Sequence, residues 1–352
     1  PLWGSGGRGF KSRRSDFNHR FSSLLAALPR GGFFVFIKRS QSPARIAYSI
    51  KTGASCSALM ISVEELDALD LLIWLGRGED AAQRQACNQS TISRRCQAAL
   101  RTFDLRLHRN SDGWPCTRRH DLLRRERQLH QLYRLRSGLP LRLDASLLAA
   151  PLLHGGIPQG WMAGPLDEVG WQRPLQLLQE HILDAWITGM GQELEGCADP
   201  WFVCIPLLQT PLQLQANQNN PLLQEANLQI GDLAGIPRLA PRPGSYPHTE
   251  QQLGSWRQQQ QPLLLESQAR RRSHPQGQRQ LSCNHVLHYG TVLSLMRQPA
   301  LRPLALDLGV LAEASLVVHR DVLEQPPVQE LLSLLQLRAR TLAAQSSLVA
   351  TP

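Results

Sequence analysis

Val63, Leu66, Leu69 and Ile73 recur at the spacing that lines one face of a helix, and Gly76 and Gly78 stop that pattern. A short second helix is predicted over Asp80–Ala86. A third starts after Asn88, whose side-chain oxygen can accept from free first-turn amides, and runs to about Thr102. At 100° per residue, Ile92, Cys96, Ala99 and Phe103 fall within about 60° of one another and form an apolar stripe. Next comes LRLHRNSDGWPCT (105–117), where Asp112-Gly113 between short extended pieces predicts a hairpin turn. Thr117 caps an arginine-rich helix over 118–136, with Leu122, Leu129, Leu132 and Leu135 as its apolar positions. Gly138-Leu139-Pro140 ends it.

Beyond residue 140 the pattern shortens. PLRLDA (140–145), ILDAWIT (182–188), FVCIPLL (202–208), PLQLQAN (211–217) and ASLVVHR (314–320) predict strands. PLQLLQEH (174–181) and VQELLSLLQLRART (328–341) predict helices, so this part is α/β. Residues 250–282, with QQQQ at 258–261 and RRR at 270–272, read as a solvated loop or fragile helix.

Charge refines the division. The net charge of +10 sits mostly in residues 1–59, which hold ten Lys and Arg against Asp16 alone and leave +1 for the rest. All three lysines and six of the eight phenylalanines lie there, and the first methionine is Met60. Residues 1–59 are therefore expected to be a non-native or disordered upstream extension, with Met60 as the native start. The alternative is a basic arm or targeting peptide built on FSSLLAALP. Residues 60–137 carry 14 arginines against 10 acids, and 138–352 carry 14 against 17. Between Arg84 and Arg109 six arginines face only Asp104, which suits a nucleic-acid reader ahead of a mildly acidic body. Seven scattered cysteines without CxxC spacing suit reduced thiols and a cytoplasmic location, with Cys96 as a small hydrophobe. No run of 18 apolar residues occurs, so no membrane partner is expected.

The third helix carries the candidate chemistry. Opposite its apolar stripe lie Ser90, Arg94, Gln97 and Arg101, flanked by Thr91 and Ser93. Gln89 and Arg94 can reach base edges in a major groove, while Ser90, Thr91, Ser93 and Arg95 can hold phosphates. A solvated surface helix is the plainer reading of such a face. Two short helices before it and a hairpin after it favour double-stranded DNA as the partner.

Ala81-Ala82 is followed, seven residues after the second alanine, by Gln89-Ser90-Thr91-Ile92-Ser93-Arg94. This arrangement resembles LysR-type transcriptional regulators, in which a double alanine precedes a Gln-Pro-Ala-Leu/Val-Ser-Arg run at that spacing. Cys96, Phe103 and Leu107 stand at that family's next apolar positions, and Thr117 stands where its linker helix opens. ILDAWITG (182–189), IPLLQTPLQLQANQNNPLL (205–223), IGDLAGIPRL (230–239) and the tail from Leu301 resemble its later stretches in order, so the likeness covers about residues 60–340. Gln85 departs from a usual leucine, Ser90 from proline, Asp104 from glycine and His108 from phenylalanine. These changes weaken the packing expected around the second helix.

The resemblance implies an N-terminal all-α winged helix-turn-helix (60–117) and a linker or dimerisation helix (118–138). A two-lobed α/β, periplasmic-binding-protein-like effector domain (139–345) would follow. It also implies a homodimer or homotetramer, and a small, usually anionic metabolite bound between the lobes. Ser146, Thr188 and Ser245, hydroxyls at strand ends or turns, are the candidate effector contacts. Only five residues separate Ser146 from Pro151, against about nine in the family, which would shorten the binding rim by about one helical turn.

No catalytic residues, cofactor or metal are expected. GxSxG, P-loop, HExxH and GxGxxG motifs are absent from the sequence. His285 and His288 could meet on a helix, but only Cys283 stands nearby as a further ligand. The alternative function is a ligand-binding α/β protein whose helix-turn-helix no longer reads DNA.

Overall fold

The computed structural model describes residues 61–107, 121–165, 170–194, 200–233, 238–240, 244–254, 262–264 and 286–352. The extension 1–59, the Asp112-Gly113 turn, the Thr117 cap, QQQQ, RRR, Cys283 and His285 lie outside these residues.

Helix α1 (Val63–Leu75) opens on a capping box, in which Ser62 Oγ accepts from the Glu65 amide and the Glu65 carboxylate accepts from the Ser62 amide. Gly76, at φ 75°, closes it. Helix α2 (Gly78–Arg84) starts two residues earlier than the pattern predicts, because Gly78 opens this helix after Gly76 has ended the first. Helix α3 (Gln89–Thr102) has Asn88 as its cap, accepting from the Thr91 amide.

Helix α4 (Asp121–Ser137) ends before Gly138 at φ 65°. Its apolar pattern selects Leu122 and Leu129 as packed positions, yet these are 55% and 37% exposed. The buried face is instead Leu123, Arg127, His130, Gln131, Arg134 and Leu135. The carboxylates of Asp70, Glu180 and Asp184 lie against this helix and pair with its arginines, so charge complementarity selects the face.

The α/β part contains two five-stranded mixed sheets. The first has the order β2 (Trp161–Ala163), β1 (Leu141–Ala145), β3 (Ala185–Thr188), β10 (Leu311–His319), β4 (Phe202–Pro211). Strand β1 runs parallel to β2 and β3, and β10 runs antiparallel to both of its neighbours. The second has the order β7 (Pro262–Leu264), β6 (Arg238–Ala240), β8 (Leu287–Gly290), β5 (Gln213–Asn217), β9 (Leu301–Pro303). The chain leaves the first sheet between β4 and β5 and returns between β9 and β10, so two crossings join the lobes. Helices α5 (Gln172–Gln179), α6 (Pro247–Leu253), α7 (Val292–Arg297) and α8 (Pro326–Gln345) complete the described helices. His288 lies in strand β8.

The cores follow these layers. Ala314, Leu316 and Val318 of β10 pack with Val328, Leu331 and Leu335 of α8 on one face of the first sheet. On its other face Trp186 and Val317 join Leu177 and Leu178 of α5 and the apolar sides of α1, α2 and α3. The three-helix head and the first lobe thus share one core. Leu214, Ala216 and Leu287 anchor the second lobe. Met190, Leu212, Tyr246, Val310 and Ala312 form a smaller cluster at the crossings.

Candidate nucleic-acid interface

The stripe on α3 decides the direction of its other side chains. Ile92, Cys96, Ala99 and Phe103 are buried, so Ser90, Ser93, Arg94, Gln97 and Arg101 are exposed on the opposite side, together with Gln89 at the helix start. No carboxylate interrupts that face before Asp104. Burial pushes the Cys96 thiol up to about 12, helped by the negative charge of Asp70, so it packs as a neutral hydrophobe.

Several polar groups are engaged locally. Asn88 Oδ1 accepts from Ser90 Oγ at 2.7 Å and from Thr91 Oγ1 at 2.8 Å. Arg94 donates to Thr91 Oγ1 at 3.3 Å. The Gln89 side chain lies over Gly78, where a Cβ would stand 3.1 Å from its Cγ. Arg95 is half-buried and donates to Gln85 Oε1 at 2.7 Å, so it turns toward α2 rather than standing with Arg94.

Behind the head lies a charged cluster that no local pattern in the sequence marks. Gln85 Nε2 donates to Asp67 Oδ2 at 2.8 Å, and Asp67 Oδ1 accepts from Arg142 in β1. Arg142, wholly buried, also lies 3.6 Å from Asp70 and donates to the Ile182 carbonyl at 2.8 Å. Its backbone amide donates to Asp184, which accepts from Arg134 and Gln131 of α4. Arg127 bridges Asp70 of α1 and Glu180 at the end of α5, at 2.7 and 2.8 Å. Burial would raise the Asp67 carboxyl, but Arg142, Gln85 and Arg134 outweigh it and hold it below its ordinary value. Burial would likewise lower Arg142, and Asp67, Asp70 and Asp184 together raise it. The available sequence signal was an arginine between two buried leucines in LRLDA, together with Asp67 and Asp70 one helical turn apart.

Further contacts seat the head. Trp74 Nε1 donates to Asp144 at 3.3 Å, Arg173 to the Ile73 carbonyl at 2.7 Å and Arg84 to the Ala163 carbonyl at 2.7 Å. The Trp74 indole occupies the space that a Cβ on Gly164 would need, only 2.7 Å away.

Of the candidate effector residues, Ser146 and Thr188 end neighbouring parallel strands and are buried. Ser146 Oγ accepts from the Ala149 amide at 3.3 Å and Thr188 Oγ1 from the Met190 amide at 3.1 Å. A Cβ on Gly189 would sit 2.4 Å from Leu148 Cβ and 3.1 Å from Ser146 Oγ, so the two strand ends pack closely. Ser245 is placed beside Gly170, ahead of α5. The short segment after Ser146 forms a 3-10 turn at Ala150–Leu153 rather than an α-helix.

After β3, Gln192 donates to the Leu311 carbonyl of β10 at 2.8 Å and accepts from the Glu313 amide at 3.1 Å. The Glu193 carboxylate accepts from the His248 and Thr249 amides at 2.9 and 2.7 Å. Among the described residues no group of three or more His, Cys, Asp or Glu could hold a metal ion, and no helix is long and apolar enough to cross a membrane.

No protein-family model and no curated protein matches the sequence. Among solved structures, the chain is similar to ArgP from Mycobacterium tuberculosis, at 12% identity and TM-score 0.43, over 78% of this chain and 96% of that one. A full-length OxyR variant from Pseudomonas aeruginosa gives 13%, 0.44, 78% and 93%. CbnR, described as a LysR family transcriptional regulator, gives 13%, 0.42, 78% and 98%. At this remote identity the residues of α3 carry the functional argument.

Proposed function

We propose that this chain is a DNA-binding transcriptional regulator of LysR type. Residues 60–117 would form the winged reading head, 118–138 the linker and 139–345 a two-lobed sensor of a small metabolite. The carrying observation is the exposed, acid-free face of Ser90, Ser93, Arg94, Gln97 and Arg101, fixed outward by the buried stripe of α3. Arg94 and Gln97 supply donors suited to base edges. Gln89 and Ser93 flank them, and Arg101 meets phosphate. The exposed Leu122 and Leu129 on α4 are the apolar positions a second copy would cover in a homodimer or homotetramer. In the sensor, Ser146 and Thr188 stand together at two strand ends, with Ser245 as a further contact.

Genome-wide binding-site mapping, followed by titration of an enriched duplex, tests this reading. Arg94→Ala should weaken specific binding by about 1–3 kcal/mol if it contacts a base. Arg101→Ala should weaken all sequences alike and reduce the salt dependence by about one counterion. A second reading, an α/β ligand-binding protein whose head has lost DNA, draws on Ser90, Thr91 and Arg95 being engaged within the head. It prevails if the wild-type chain has no salt-sensitive DNA affinity.

A further inference from the structure

The head contains an unbroken polar path toward the first lobe. Arg95 on α3 donates to Gln85 Oε1 at 2.7 Å, and the same amide group's Nε2 donates to Asp67 Oδ2 at 2.8 Å and to the Glu64 carbonyl at 3.3 Å. Asp67 accepts from Arg142, and the Arg142 backbone amide donates to Asp184 at 2.7 Å. Strand β1 therefore connects, within four side chains, to the helix that presents the candidate reading face. The C-terminal end of the same strand leads directly into Ser146.

Gln85 has the two functions this joint requires. A primary amide accepts at its oxygen and donates at its nitrogen, so it can pass from a guanidinium to a carboxylate without a mismatch. A leucine there could do neither, and a glutamate would keep the acceptor for Arg95 while setting a second negative charge against Asp67. The positive φ of 48° at Ala86 turns the chain sharply after Gln85. The Cys87 amide then returns to the Ala82 carbonyl at 3.0 Å, fixing the backbone on either side of the joint.

We propose that Gln85 is a positioning residue that ties the α3 helix, through Arg95, to strand β1, through Asp67 and Arg142, so that the reading face follows movements of the first lobe. The tie itself is independent of any ligand. Its consequence for DNA rests on the regulator reading above. It supplies a connection between head and lobe besides the chain passage through α4.

Peptide-resolved amide exchange on the full chain tests the tie without DNA. Gln85→Leu should speed exchange about ten-fold both at residues 85–95 and at the Arg142 amide in β1. Gln85→Glu should speed it at β1 while leaving α3 closer to wild type. In a cycle with Asp67→Asn, the double variant should exchange no faster than the faster single variant, the non-additivity expected of one path. Wild-type exchange at Arg142 in Gln85→Leu, or effects that multiply in the double variant, would overturn the proposal and leave packing alone as the link. With an enriched duplex, Gln85→Leu should change affinity at least five-fold at equal α3 sequence, and unchanged affinity would overturn the DNA consequence. If wild type binds no DNA yet the exchange cycle is non-additive, the regulator reading fails and the tie stands.

Discussion

At the scale of single residues, three helix ends put L-residues where glycine is cheapest. Ala86, Asp104 and His181 have φ of 48°, 50° and 54°. Each follows a helix whose last carbonyls are taken by returning amides: Cys87 to Ala82, Leu105 to Leu100 and Ile182 to Leu177. The left-handed region costs an L-residue with a Cβ about 1–2 kcal/mol, less for Asp, and glycine gives part of that back in unfolded-chain entropy. Ala86→Gly should therefore raise the melting temperature by about 2–4 °C, and Asp104→Gly by less. His181→Gly should lower it, because that ring bonds Gln131 at 2.8 Å and packs on His319 with centroids 4.8 Å apart. Calorimetry on the three variants checks the order. The glycine expected at 104 was legible as a departure from the family pattern, whereas Ala86 and His181 gave no sequence signal because neither residue type marks a turn.

At the scale of elements, α4 shows what periodicity can and cannot settle. Its Gly138 end was legible, but its packed face was not. An apolar pattern assumes an apolar neighbour, and this helix lies against Asp70, Asp184 and Glu180. Those partners are 57, 53 and 53 residues from their contacts on α4, beyond the reach of any local pattern. Removing one member of a buried pair strands the others, at about 3–5 kcal/mol. Arg127→Ala should cost that much in urea denaturation, since it takes the pairing cation from Glu180 and leaves Asp70 only the more distant Arg142 at 3.6 Å. Leu122→Ser and Leu129→Ser should hardly move the denaturation midpoint measured at low concentration. If α4 pairs between copies, they should instead shift sedimentation toward monomer. An Arg127→Ala chain as stable as wild type would mean that shape and not charge holds this face.

At the scale of the whole molecule, the long strands β1, β3, β4, β5 and β10 were legible from runs of apolar residues. Strands β2, β6, β7 and β9 span three residues each, too few to show a period. The exposed side of α3 was also legible, because Ile92, Cys96, Ala99 and Phe103 leave only one side for the polar residues. The packing of the head onto the first lobe was not, because its contacts, from Arg142–Asp67 to Trp74–Asp144, join residues about 70 or more apart. The fold also buries His130 on α4 and His181 after α5, and this makes stability depend on pH. Burial, chiefly, pushes His130 down to about 4 and His181 to about 3, the second helped by His319. In the unfolded chain both return to roughly 6.5. Below that pH the unfolded chain takes up protons that the fold refuses, so stability falls as pH drops from about 6.5 toward 4, by at most about 1.4 kcal/mol per unit for each ring. Glu126 and Glu180, raised by burial, work the other way: the fold holds their protons more tightly, which favours it as pH falls through their raised values toward the unfolded one. Asp67, held low, adds a loss only under strongly acid conditions, as pH falls from its unfolded value through its folded one. Urea denaturation at pH 7, 6 and 5 should show stability declining with acid, and a His130→Gln/His181→Gln chain should show a shallower decline. Equal slopes in the two chains would mean that these rings take up protons alike in the folded and unfolded chain, and that their burial does not exclude the charge.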